Sequence, residues 1–290
     1  MTFDVDWVDA FTSAPFGGNG CAVVHGGAVL DDATCMALVR ETSLVECTFT
    51  GPSDTADIRV RYFLASREIP FAGHPTVATV AALRHRGLIA DGPLTLETGA
   101  GVVAVEVEGM RVKMTQIAPQ FGSYAEADIV AAVGGIAPDL IVHPPRVVST
   151  GLPFCITVLK DRATLESLRF DQDAFGMYLD HLGVQGGTDM MEPFWVTQTG
   201  ATASGDTFAR LLMAPPSPAE DPFTGSATGA MAAYLWSEGL LAAPDFVAEQ
   251  GHGMGRPGRA SVRVLGSRGA ITGVEVSGSA HVLISGTLHL

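Results

Sequence analysis

Apolar residues crowd the stretch from Val77 to Leu83, where Val77, Ala78, Val80, Ala81, Ala82 and Leu83 leave almost no polar face. A helix that is apolar on most sides is a buried helix. Alternation then takes over. The segment from Leu94 to Met114, LTLETGAGVVAVEVEGMRVKM, keeps a period of two broken by glycine pairs, which predicts antiparallel strands and hairpins. The same succession returns later: Ala230, Met231, Ala232, Ala233, Tyr234 and Leu235 form a second nearly all-apolar helical stretch. After it ASVRVLGSRGAITGVEVSGSAHVLISGTLHL alternates to the end of the chain. Nearer the start, DDATCMALVRE predicts a helix with Glu41 on its surface, and SLVECTFT predicts a strand.

The two helical stretches are copies. PFAGHPTVATVAALRHRGLI (70–89) aligns without a gap on PFTGSATGAMAAYLWSEGLL (222–241), with identical pairs at Pro70/Pro222, Phe71/Phe223, Gly73/Gly225, Thr76/Thr228, Ala78/Ala230, Ala81/Ala233, Leu83/Leu235, Gly87/Gly239 and Leu88/Leu240. Each copy is entered from a strand through Glu-x-Pro-Phe, so Glu68 pairs with Glu220 and Ile69 with Asp221. Self-similarity at a fixed offset is an architectural signal. It predicts an α+β fold of two pseudo-symmetric halves, each a mixed, mostly antiparallel curved sheet or barrel around a central buried helix. The halves, expected at 1–118 and 119–277, join near GSYAEADIVAAVGGIAPD, which contains a short helical stretch of its own.

Length and composition agree with two packed units: 290 residues, 47% apolar and 17% charged, suit a substantial core. A net charge of −14 with no run of Lys or Arg repels phosphate backbones and anionic lipid, so nucleic acid is not an expected partner. The opening MTFDVDWVDAF is acidic and alternates like a strand, unlike a signal peptide, and no stretch reaches the roughly 18 apolar residues of a membrane-spanning helix. Cys21, Cys35, Cys47 and Cys155 form no CxxC pair, which suits reduced thiols in a cytoplasm.

The chemistry concentrates where the copies differ. A helix start leaves amide N–H groups unpaired and carries partial positive charge, so it can hold a carboxylate or a developing oxyanion. Gly73 and Gly225 would let a ligand approach the backbone there. Copy one then offers His74 where copy two has Ser226, and copy two offers Asp221 where copy one has Ile69. Taken singly, Ser226 reads as a helix N-cap, Asp221 as a turn former before Pro222, and His74 as a surface residue. Together, at equivalent positions of a doubled element, they read as a site. Glu46 supplies an acid–base group. Burial among Leu44, Val45, Cys47 and Phe49 would raise its pKa toward a catalyst's working range, whereas an outward-facing Glu46 would simply be solvated.

As an ordered set, VDAFTSAPFGGNGCAVV, VECTF, PFAGHPT, STGLPFCI, EDPFTGSATG and EQGHGMGRPGRASV resemble the phenazine-biosynthesis PhzF-like family, which shares the diaminopimelate epimerase fold. The resemblance spans almost the whole chain. It implies a homodimer whose halves flank the active site, with the last strand, about 278–290, returning to the first half. It implies an isomerase that moves a proton between carbons of a small carboxylate-bearing substrate, using neither metal nor organic cofactor. The proton-shuttling glutamate falls on Glu46, its catalytic partners on His74 and Asp221, and substrate-binding positions on Gly73, Gly225 and Ser226. The Glu249-Gln250-Gly251 block with Arg256-Pro257 matches a family block read as structural. Departures occur around Asn19-Gly20-Cys21, where Asn-Pro is usual, and at Val45 and Cys47 beside the glutamate. They bear on the particular substrate more than on the fold.

Two other readings compete. Amino-acid racemases of the same fold place a cysteine at each central helix start, but here those starts carry His74 and Ser226. A non-catalytic anion-binding protein would need the helix starts but not the Glu46, His74 and Asp221 set. The eight histidines show no HExxH spacing, and no glycine-rich segment has a GxGxxG or Walker pattern between strand and helix.

Overall fold

The computed structural model describes residues 1–184, 191–215 and 217–290. The chain divides into two compact units, Met1–Thr115 with Ser277–Leu290, and Gln116–Val276.

In chain order the first unit contains β1 (Thr2–Ala10), β2 (Asn19–Val24), α1 (Asp32–Thr42), β3 (Glu46–Gly51), β4 (Ile58–Phe63), β5 (Glu68–Ile69), α2 (Gly73–His85), β6 (Gly92–Thr98), β7 (Gly101–Glu108) and β8 (Arg111–Gln116). The second contains β9 (Gln120–Tyr124), α3 (Ala127–Gly134), β10 (Arg146–Ser149), β11 (Pro153–Val158), α4 (Arg162–Ser167), α5 (Gln172–His181), β12 (Pro193–Thr197), β13 (Thr207–Leu212), β14 (Glu220–Asp221), α6 (Gly225–Ser237), β15 (Asp245–Gln250) and β16 (Gly258–Ser267). The final strand, β17 (Ala270–His289), starts in the second unit and from Ser277 belongs to the first.

Pairing in the first unit closes a ring, in the order β17, β1, β2, β3, β4, β6, β7, β8 and back to β17. Two of its joins, β2–β3 and β4–β6, are parallel. Parallel neighbours need a long crossover, and these are where α1 and α2 sit. Sequence decides which crossover goes inside. α1 buries only Cys35 and Val39 and stays on the surface, whereas α2 buries every residue from Gly73 to Leu83 and packs on β1, β2 and β3. The second unit repeats the plan: β11–β12 and β13–β15 are its parallel joins, and the crossover between β13 and β15 is α6, packed on β10, β11 and β16. This is the α+β fold with central buried helices that the doubled pattern predicts.

Pseudo-symmetry extends to side chains. Arg61 on β4 makes a two-pronged bond to Glu68 (2.9 and 2.7 Å), and Arg210 on β13 makes the same bond to Glu220 (2.9 and 2.7 Å). The Glu-x-Pro-Phe approach is therefore a two-residue strand, β5 or β14, clipped to its neighbour just before each helix. At the far end of α2, Arg86 bonds Asp6 (2.6 and 3.0 Å), which also meets Ser285 (2.6 Å) and His25 (2.8 Å). Burial alone would raise the Asp6 pKa, but these three partners outweigh it and hold the carboxyl below the usual carboxylate range.

Beyond β15 the chain turns back through Gly251, whose φ is +81°. A Cβ there would collide with the carbonyl oxygens of both Arg256 and Pro222. Gly255 has φ +71° but open space around it, and Gly253 has neither constraint. Alanine at these three positions should therefore give a graded series in urea denaturation. We expect no measurable loss for Gly253→Ala, about 1 kcal/mol for Gly255→Ala, and about 3 kcal/mol or more for Gly251→Ala, where strain and backbone collision combine. Equal losses at all three would contradict the placement of this turn.

Candidate active site

β3 lies between two helices, α1 on one face and α2 on the other. Residues of a strand alternate between faces. Cys47 and Phe49 join the cluster containing Cys35 and Val39 of α1, and Thr42 meets Cys47 at 3.6 Å. Thr48 bonds Thr79 of α2 at 2.7 Å. Glu46, two residues before Thr48, shares its face and points toward the central helix. It is only 4% exposed, so the solvated alternative does not hold. Alternation alone could not decide this, because both faces of β3 are covered.

His74, the second residue of α2, is 4% exposed and is not a surface residue. Its Nδ1 lies 3.4 Å from Glu46 Oε2 and 3.0 Å from Asn19 Nδ2, at the start of β2. A carboxyl, an imidazole and an amide thus meet, all buried, beside Gly73, which opens the helix. Such a group can hold a proton and pass it between neighbouring oxygen and nitrogen atoms. Asn19 was not among the residues singled out from the sequence as site members. Its signal was its place in the GGNGC segment, where it opens the strand that neighbours Glu46.

In the second unit Asp221 sits on β14 opposite Leu211, where the first unit places Ile69 opposite Tyr62. It is 3% exposed. Thr224 Oγ1 donates to Asp221 Oδ2 at 2.5 Å. Gln250, at the end of β15, donates from Nε2 to the Asp221 carbonyl (2.8 Å) and to Thr224 Oγ1 (3.1 Å), while its Oε1 accepts from the Thr224 amide (3.0 Å). Gly225 opens α6, and its carbonyl accepts from Gln116 Nε2 at 2.9 Å. Ser226 is the second helical residue, half-buried, at the place His74 holds in α2; the N-cap is Thr224, so Ser226 is no cap. The structure thus joins Glu46 to His74 in one unit and sets Asp221 beside the Gly225–Ser226 helix start in the other.

Neither central helix has a capping side chain or an acidic residue in its first turn. By contrast α1, α4 and α5 are each capped by an aspartate: Asp31, Asp161 and Asp171. The two buried starts therefore keep their positive ends for another acceptor. All four cysteines are buried, and burial pushes their thiols up: Cys35 to about 12, Cys47 and Cys155 to about 11, and Cys21 well above the usual range. None has the lowered pKa of a thiolate catalyst. Among the described residues no helix is long and apolar enough to cross a membrane.

A model of the phenazine biosynthesis-like protein family matches residues 8–286. The chain is 30% identical over 293 residues to the uncharacterized isomerase YddE of Escherichia coli O157:H7, covering 95% of each chain. It is likewise 30% identical over 300 residues to the trans-2,3-dihydro-3-hydroxyanthranilate isomerase of Pseudomonas chlororaphis, covering 98% of each. Its fold superposes on the PhzF family phenazine biosynthesis protein of Bacillus anthracis with a TM-score of 0.89, at 26% identity over 100% of both chains. A hydroxyproline epimerase from Agrobacterium vitis shares the fold at a TM-score of 0.63 and 13% identity, covering 99% of this chain and 92% of that one. Matched along nearly its whole length by relatives named isomerases, the chain belongs to the phenazine biosynthesis-like family and is an isomerase.

Proposed function

We propose that Glu46 is the acid–base group of this isomerase and moves a proton between two carbons of a small carboxylate-bearing substrate. The observation that carries the reading is the buried contact between Glu46 and His74, 3.4 Å apart at an uncapped helix start. As a carboxylate, Glu46 takes a proton from an activated carbon, and the electron pair left behind shifts through the adjoining double bond. As the acid so formed, it returns the proton to a second carbon. Nothing is oxidised or reduced overall, and no proton is consumed. His74 orients the substrate's polar groups and exchanges protons with them, with Asn19 fixing its ring.

Asp221 is assigned to orienting a substrate hydroxyl or amine and exchanging a proton with it. The first-turn amides at Gly73 in the first unit, and Ser226 with the first-turn amides at Gly225 in the second, are assigned to binding negative groups. Electrostatic support of this kind acts most strongly where water is excluded. The relative from Pseudomonas chlororaphis, by its name, isomerises trans-2,3-dihydro-3-hydroxyanthranilate, and that compound is the first probe to try. A cytoplasmic homodimer is part of the same proposal, and sedimentation of the purified chain would test the dimer.

In D2O, turnover of trans-2,3-dihydro-3-hydroxyanthranilate should place deuterium at the receiving carbon. Glu46→Gln should lower the rate by about 10²–10⁴-fold, the usual contribution of a positioned acid–base group, while leaving circular dichroism unchanged. Retained exchange in that variant would remove Glu46 from its role. The thiols give a second test. Iodoacetamide at neutral pH should leave both deuterium exchange and turnover intact, since the buried thiols are protonated there. Inactivation that substrate prevents would favour a thiol-type epimerase instead.

A further inference from the structure

We infer that Gln250 is a positioning residue for Asp221, acting through Thr224, so that the EQG block is part of the catalytic apparatus and not only of the scaffold. The inference rests on the role assigned to Asp221 above.

Four hydrogen bonds fix the arrangement, and their polarity is unambiguous. A backbone N–H can only donate and a backbone carbonyl can only accept. The Gln250 amide faces one of each, the Thr224 N–H and the Asp221 C=O, so its oxygen and nitrogen cannot be exchanged. The second Nε2 hydrogen is then aimed at Thr224 Oγ1. A hydroxyl has a single proton. Receiving from Gln250, Thr224 turns that proton toward Asp221 Oδ2 at 2.5 Å. The relay therefore makes Oδ2 an acceptor and fixes the rotation of the Asp221 carboxyl group. All three side chains are 4% exposed or less, so no bulk water competes for these bonds.

The two copies of the fold supply an internal control. At the offset of 152, Asp221, Thr224 and Gln250 correspond to Ile69, Ala72 and Thr98. Thr98 bonds its own hairpin, to Gly101 and Ala100. The acid and both of its supports occur together in one copy and are absent together from the other. The acidic neighbours on the same two strands are occupied elsewhere, Glu220 by Arg210 and Glu249 by Thr202.

Two near-isosteric variants break the relay at different links. Thr224→Val removes the hydroxyl, and Gln250→Glu replaces the donor with an acceptor that draws the hydroxyl away from Asp221. Thr224→Ser keeps the relay. In protein labelled with 13C-aspartate, the Asp221 carboxyl signal, assigned by its loss in Asp221→Asn, should titrate at least one pH unit higher in both breaking variants. A carboxylate deprived of a donor takes up its proton more readily. In Thr224→Ser the titration should match the native protein. With trans-2,3-dihydro-3-hydroxyanthranilate, kcat should fall about 10–100-fold in the breaking variants with KM changed less than about threefold, as for a misplaced catalytic group. An unchanged Asp221 titration in Thr224→Val overturns the relay, whatever the substrate proves to be. A shifted titration with native kcat overturns the positioning role. Native turnover in Asp221→Asn instead sinks the role of Asp221 itself, and the two failures are told apart by which variant shows them.

Discussion

Each central helix is buried along almost its whole length, and a buried helix start costs free energy unless its first amide groups find acceptors. The helices α1, α4 and α5 solve that problem with an aspartate at the N-cap. The two buried helices do not, because their caps are Ala72 and a Thr224 whose hydroxyl is committed to Asp221. The rest of the architecture can be traced to this constraint. Rings and runs of strands enclose the apolar flanks of α2 and α6, a two-residue strand clipped by an Arg–Glu pair fixes where each helix begins, and the polar residues that differ between the copies cluster at those beginnings. A frame whose two central helices start without a capping side chain or a first-turn acid is suited to a negative group there.

Duplication explains the frame, and divergence explains the chemistry. Thr76 and Thr228 both return a bond to the carbonyl four residues earlier (2.7 and 2.9 Å), and Arg61 and Arg210 both serve their glutamates, so the helix entrances are built alike. Differences fall on His74 against Ser226 and on Asp221 against Ile69. Shared residues build both helix entrances, and His74, Ser226 and Asp221 are polar differences that lie at those entrances.

Much of the fold was legible because burial writes itself into periodicity. The nearly all-apolar runs at Val77–Leu83 and Ala230–Leu235 pointed to interior helices, and the alternation after each pointed to strands. The orientation of Glu46 was not legible, because β3 is covered on both sides and period two is silent about which buried face is which. Among the proposed site residues, those at the helix starts stood out by comparing the copies. Asn19, Gln116 and Gln250 did not, since each acts through bonds to groups distant in sequence; Gln116, for instance, reaches a carbonyl 109 residues away. Gln250 falls in the block that the resemblance marks as structural, and its bonds to Thr224 and Asp221 are evident only in the folded chain.

The strand β17 crosses from one unit into the other and ends paired to the opening strand, with Thr2 opposite His289. On the ribosome this has an unavoidable consequence. The first 115 residues emerge early but lack the stave that closes their ring, and at about 5–20 residues per second they wait roughly ten to thirty seconds for it. During that interval the edge strands β1 and β8 are open, while the residues of the second unit, which end at Val276, are being made. The order of synthesis is therefore the reverse of the order of completion, and the last fourteen residues, Ser277–Leu290, are those on which the first unit depends.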